Sequence, residues 1–161
     1  MNISEPQRYL GTVDVEALSQ CILSQDVNAW KEQLNRQQSY EVHKDTESIV
    51  MLFCDETWPD GDVHREVGWE RIANEAMPLI NDIIETYYNP GGIVLRAMAA
   101  KLKSGGRISP HTDALQSFHM GHRIHVPITS NEAVRFMIEG KPYKFEVGHA
   151  YEINNQKTHS V

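Results

Sequence analysis

His111, Thr112 and Asp113 form a short His-x-Asp step, and a lone histidine, His159, follows far downstream. Two imidazoles and one carboxylate gathered on one face of a metal suit a non-haem Fe(II) centre whose remaining positions stay open. A structural site would instead be closed by a fourth protein ligand. In extended backbone the side chains of residues i and i+2 project the same way. His111 and Asp113 can therefore converge on one ion, and His159 would have to arrive from a later strand antiparallel to theirs. Taken alone the His-x-Asp step is common on any surface; the distal His gives it weight.

A second cluster is His119-Met-Gly-His122-Arg123-Ile-His125-Val-Pro-Ile128. Arg123 and His125 would share one strand face and open on the same cavity as the metal. The planar guanidinium matches a carboxylate, and His125 adds a donor, so the pair suits an acid cosubstrate. The plainer alternative puts His122 and Arg123 on the solvent face and His125 in the core. His119 and His122 suit either a pocket mouth or an exposed loop. His149, after Gly148, reads as a turn residue with a structural or exposed role. In the front half, Arg36, His43 and Trp58 could approach the pocket from loops, and His64 has no assigned partner. Trp30 and Trp69 read as packing helices onto the sheets. Asn154 and Asn155 read as the turn that aims His159.

These residues need elements to hold them. Asp14 suits the cap of a helix through Val15, Leu18, Cys21 and Ile22, and Asn28–Leu34 extends or follows it. Ser48–Cys54 is an apolar run of strand length. Pro59-Asp60-Gly61 marks a turn. A helix is expected from Trp69 to Tyr88, with Ile72, Ala76, Leu79, Ile80 and Ile83 on one face, stopped by Asn89-Pro90-Gly91-Gly92. After it the texture changes to short strands and polar turns: Ile93 to Leu102, a turn at Ser104-Gly105-Gly106, Arg123–Ile128, Ala133–Ile138, a hairpin turn at Glu139-Gly140-Lys141-Pro142, Lys144–Val147, then Ala150–Ile153. The expected fold is mainly β with packed helices (α+β), around a double-stranded β-helix core of the jelly-roll or cupin kind. Residues 1–161 read as a single domain, with helices and one strand in 1–92 and the core strands mainly in 93–161.

At 161 residues, 40% hydrophobic and 23% charged, the chain can bury a core and is not of disordered composition. A net charge of −7 argues against a nucleic-acid surface, and Lys101-Leu-Lys103…Arg107 is too short a basic stretch to reverse it. No apolar run is long enough to span a bilayer, and the N-terminus carries no apolar signal segment. The two cysteines, Cys21 and Cys54, lie far apart in apolar company and read as reduced core thiols of a cytoplasmic protein.

From Ile93 to Val161 the sequence resembles the aspartyl/asparaginyl β-hydroxylase family of Fe(II)/2-oxoglutarate dioxygenases, which includes bacterial free-proline hydroxylases. The resemblance rests on three blocks in order: Gly105…Pro110-His111-Thr-Asp113; His122-Arg123-Ile-His125-Val-Pro-Ile; and Phe136…Gly148-His-Ala-Tyr151-Glu-Ile-Asn-Asn155 with His159-Ser-Val161. It implies iron ligands at His111, Asp113 and His159, and a 2-oxoglutarate pocket lined by Arg123 and His125. It also implies O2 as co-reactant and hydroxylation with release of succinate and CO2. The presence of Asp113 is closer to the bacterial amino-acid hydroxylases than to members lacking that carboxylate. The family carries a further Arg beyond the distal His, on an apolar closing strand. This sequence ends at Val161, so the expectation is a longer native chain, or Arg96 or Arg107 on the far carboxylate. The expected substrate is an amino acid, free or peptidyl; neither the substrate nor the oligomeric state is legible. Two rival readings keep the fold: a cupin-like isomerase or hydrolase using Zn or Mn as a Lewis acid, and a non-catalytic jelly-roll binding module.

Overall fold

The computed structural model describes residues 1–33 and 41–161. It is mainly β-sheet with few helices, and forms two compact units: Met1–Val15 with Ser109–Val161, and Glu16–Ile108. The expectations on Leu34 and Arg36 fall outside the described residues.

The first unit holds two antiparallel three-stranded sheets. One orders β1 (Gln7–Thr12), β8 (His149–Ile153) and β5 (Arg123–His125), with β8 central. The other orders β7 (Lys141–Tyr143), β6 (Phe136–Ile138) and β9 (His159–Ser160), with β6 central. They share a core in which Ile153 of the first sheet packs with Phe136 and Ile138 of the second. Ile138 opposes Lys141 across a turn in which Glu139 and Gly140 both take positive φ, 49° and 74°. That is the two-residue hairpin whose twist matches its strands.

Several strand expectations are corrected here. The strand placed at Lys144–Val147 lies instead at Lys141–Tyr143. Pro142 had read as part of the turn, but β7 is an edge strand, where a missing N–H is tolerated. The strand at Arg123–Ile128 stops at His125, because Pro127 cannot donate to a ladder. His149 begins β8 rather than sitting in the turn. The N-terminal strand β1 and the short helix α3 (Gln116–Met120) were not foreseen.

The second unit is built on a sheet ordered β3 (Val63–Arg65), β2 (Thr46–Cys54) and β4 (Ala97–Leu102). The apolar run in β2 is explained by its central position, with seven of nine residues buried. The strand expected from Ile93 begins only at Ala97 and pairs with β2. Helix α1 (Glu16–Leu23) buries Leu18 and Ile22 and packs against α2 (Trp69–Tyr87). Helix α2 buries Ile72, Ala73, Ala76 and Ile83, while Leu79 and Ile80 are half-buried. Gly68 precedes it because any Cβ there would stand 2.3 Å from the Val50 carbonyl oxygen. Trp30, in a short 3-10 turn over Ala29–Lys31, packs on β2, with the Lys101 ammonium 4.3 Å from its ring centre. Both cysteines are free thiols; Cys54 is buried, and burial with Glu75 nearby pushes the Cys21 thiol up. Among the described residues no helix is long and apolar enough to cross a membrane.

Candidate metal centre

The backbone brings the distal His to the His-x-Asp step. His111 forms an antiparallel bridge with His159, which on its other side opposes Ile138 of β6. Two residues on, the Asp113 amide donates to the Asn155 carbonyl at 3.1 Å. Asn154 and Asn155 are wholly buried, and the Asn154 carbonyl accepts the Lys157 amide at 3.1 Å, which closes the turn leading into His159. The Gln156 side chain adds a bond to the Asp113 carbonyl at 3.2 Å.

Each imidazole is held by its own chain two residues back. His111 Nδ1 lies 2.8 Å from the Ser109 carbonyl oxygen, and His159 Nδ1 lies 3.0 Å from that of Lys157. A carbonyl only accepts, so each Nδ1 carries the proton and each Nε2 presents a lone pair, the arrangement found in metal-bound histidines. His111 Nε2 stands 3.9 Å from Asp113 Oδ1, and His159 Nε2 stands 4.0 Å from Asp113 Oδ2. One donor atom from each residue fits within a 4.8 Å span. Neighbouring donors on an ion with bonds of about 2.1 Å stand about 3 Å apart, so the His–Asp gaps need close by about an ångström and no gap by more than about two. His159 Nε2 is buried and makes no hydrogen bond to any described residue, which fits a lone pair reserved for a cation. Burial pushes the His159 imidazole below its ordinary value; Arg123 and His111 add to this, while the Lys157 carbonyl and Asp113 oppose it. The neutral, ligating form is therefore favoured.

Arg123 and His125 lie on β5, opposite Ile153 and Tyr151 of β8. The Arg123 Nη1 donates to Asp113 Oδ2 in an ion pair, with the guanidinium 5.7 Å from the Phe118 ring centre. His125 sits among aromatic rings, edge-on to Phe136 at 5.5 Å and 6.2 Å from Phe145. Phe136 in turn lies parallel to the His159 ring at 6.5 Å. One wall of the donor cluster is thus cationic and the adjoining one aromatic.

The remaining histidines separate from this cluster. His119 is exposed on α3. The His122 Nδ1 bonds to buried Glu152, whose other oxygen meets Arg8 at 2.8 Å. His149 accepts or donates with the Tyr9 hydroxyl at 2.9 Å. The arginines considered for a far carboxylate belong to the second unit. Arg96 donates to Cys54 Sγ at 3.3 Å and lies over Phe53, and the Arg107 amide bonds Asp45 at 3.1 Å. His43, Trp58 and His64 also belong to that unit, with His64 3.0 Å from Asp55. Sequence reasoning missed the orienting carbonyls of Ser109 and Lys157, which carry no side-chain signal, and the Arg8–Glu152–His122 group.

No curated protein and no solved structure matches the chain. A family model described as aspartyl/asparaginyl beta-hydroxylase matches residues 19–161, a span that includes His111, Asp113 and His159. The chain belongs to the aspartyl/asparaginyl β-hydroxylase family, a family of hydroxylases.

Proposed function

We propose that this chain is an Fe(II)- and 2-oxoglutarate-dependent dioxygenase. It hydroxylates an unactivated carbon of an amino acid, free or within a peptide, and releases succinate and CO2. The observation that carries the reading is the convergence of His111, Asp113 and His159, with both histidines held as Nε2 donors by backbone carbonyls. Two imidazoles and a carboxylate are the donor set suited to non-haem iron with open positions. Bound there, iron would supply the oxidative chemistry, coupling decarboxylation of 2-oxoglutarate to hydroxylation of a C–H bond.

The protein's own residues supply placement. His111, Asp113 and His159 would hold the ion. Arg123 would meet a carboxylate of 2-oxoglutarate with its planar fork, and His125 would line the same side. The two facing sheets of the first unit are the part of the fold read as a double-stranded β-helix core. The Phe136 ring stands 4.6 Å from that of Phe145 and lies parallel to the His159 ring at 6.5 Å, which gives that side of the cluster an apolar lining. The family's description supports an aspartyl or asparaginyl substrate, and the free thiols of Cys21 and Cys54 support a cytoplasmic setting.

The test is anaerobic addition of Fe(II) and then 2-oxoglutarate to the full chain. The expected result is a visible metal-to-ligand charge-transfer band that needs both additions; its absence overturns the reading. Succinate release measured across free amino acids and short Asp- or Asn-containing peptides then identifies the substrate.

A further inference from the structure

A buried carboxylate between two imidazoles needs a positive partner, because an ionised group out of water is costly when alone. Asp113 is only 8% exposed, and Arg123 supplies that partner. The contact falls on Asp113 Oδ2, the same oxygen that faces His159 Nε2 across 4.0 Å. A cation shared between His159 and Asp113 would therefore meet an oxygen already held by a guanidinium. Guanidinium offers donors only and keeps its charge at any relevant pH. Two cations on one carboxylate oxygen in a site this dry repel strongly.

We propose that Arg123 is a latch on Asp113: in the metal-free chain it holds Oδ2, while Oδ1 faces His111 Nε2 at 3.9 Å, and a divalent ion that draws Oδ2 toward His159 displaces it. This deepens, and rests on, the reading of His111, Asp113 and His159 as ligands. The latch also sets the order of loading. Without metal the charges of Asp113 and Arg123 cancel, and the pocket has no attraction for an acid. With a divalent ion the same groups carry a surplus of two positive charges, which a dicarboxylate balances. Displacement frees the guanidinium fork for that acid. Arg123 is thus both the competitor of the metal and the receptor for the anion that follows it.

The test follows Mn(II) binding by loss of the free-ion EPR signal in the full chain, in Arg123→Gln and in His111→Ala. A parallel arm follows the Arg123 side-chain 15N signal of the unsubstituted chain before and after Zn(II). Removing the latch should tighten Mn(II) by about tenfold, a coupling of ordinary size between linked events. Zn(II) should move the Arg123 signal from that of a paired guanidinium to that of a released one, and Asp113→Asn should give the released signal without metal. Unchanged or weaker Mn(II) binding in a folded Arg123→Gln overturns the latch. So does an Arg123 signal indifferent to Zn(II), and that arm stands even where the substituted chain fails to fold. Mn(II) binding by His111→Ala as tight as that of the parent chain would instead overturn the ligand reading, which keeps the two failures apart.

Discussion

His111 and His159 exchange both of their backbone hydrogen bonds, the His111 amide reaching the His159 carbonyl at 3.0 Å and the His159 amide reaching that of His111 at 2.9 Å. Directly opposed residues of an antiparallel pair project their side chains to one face. Their rings accordingly stand 4.4 Å apart, centre to centre. The bridge does for two distant residues what the i, i+2 step does for His111 and Asp113. The candidate donor cluster and the sheet closure are therefore one feature of this fold, and a change at either His acts on both.

That coupling separates the two histidines experimentally. Replacing either with Ala should weaken divalent-metal binding by on the order of 100-fold or more, since even residues that only orient ligands are worth up to about that much. The His159 side chain is 3% exposed and that of His111 15%. His159→Ala should therefore also leave a cavity and destabilise the metal-free chain by about 1–3 kcal/mol, with His111→Ala costing less. Isothermal titration with Zn(II), beside denaturant unfolding of the metal-free variants, checks both. Equal stability losses would contradict the difference in burial.

The pH dependence has a definite sign. Burial holds the His159 imidazole below its ordinary value of 6.5. The unfolded chain then binds the proton more readily than the folded one. The stability this gives is fully present above the unfolded value and is lost as pH falls through the folded one. Metal-free protein should thus become easier to unfold on acidification below pH 6.5. His159→Gln should flatten that part of the profile in urea unfolding across pH; a profile of unchanged slope would exclude His159 as its source.

Asn155 ties three parts of the site together without touching the donors. Its carbonyl accepts the Asp113 amide, and its Nδ2 donates to the Phe118 carbonyl at 2.9 Å. Asn155→Ala keeps the backbone bond but takes Nδ2 from the Phe118 carbonyl, and takes Oδ1 from the Met1 ammonium and the Gln156 amide at 2.8 and 3.1 Å. Losing such a partner costs about 1–3 kcal/mol. A drop in melting temperature together with a modest loss of Zn(II) affinity is expected.

The parts that were legible beforehand share one property: their pattern is dictated by burial. β2 shows its continuous apolar run because it is central, and α2 shows its stripe because one face is covered. β1 gave no such signal, since Tyr9 is 51% exposed and a bulge between Tyr9 and Gly11 breaks the alternation. The strand wrongly placed at Lys144–Val147 shows that local composition does not say which strand lies at an edge. In the site, the His-x-Asp spacing and the need for an antiparallel partner could be reasoned from strand geometry. The Arg123–Asp113 pair could not, because nothing in sequence says which acid a half-buried arginine will find.

The Arg8–Glu152–His122 group supplies a final asymmetric expectation. The Glu152 side chain is 1% exposed, whereas Arg8 is 47% and His122 37% exposed. What matters after a substitution is the group left behind. Glu152→Gln removes the buried charge and leaves two partners that water can reach, so it should cost only about 1 kcal/mol. Arg8→Leu keeps the buried carboxylate and withdraws the guanidinium that meets its Oε2 at 2.8 Å. Stripping one member from a buried pair costs about 3–5 kcal/mol, and solvent at the Arg8 end lowers this to roughly 2–3 kcal/mol. Denaturant unfolding at neutral pH should therefore rank Arg8→Leu as clearly less stable than Glu152→Gln. The double variant should recover most of the difference, because the charge that needed Arg8 is gone. A double variant as unstable as Arg8→Leu alone would instead assign the role of Arg8 to packing along β1.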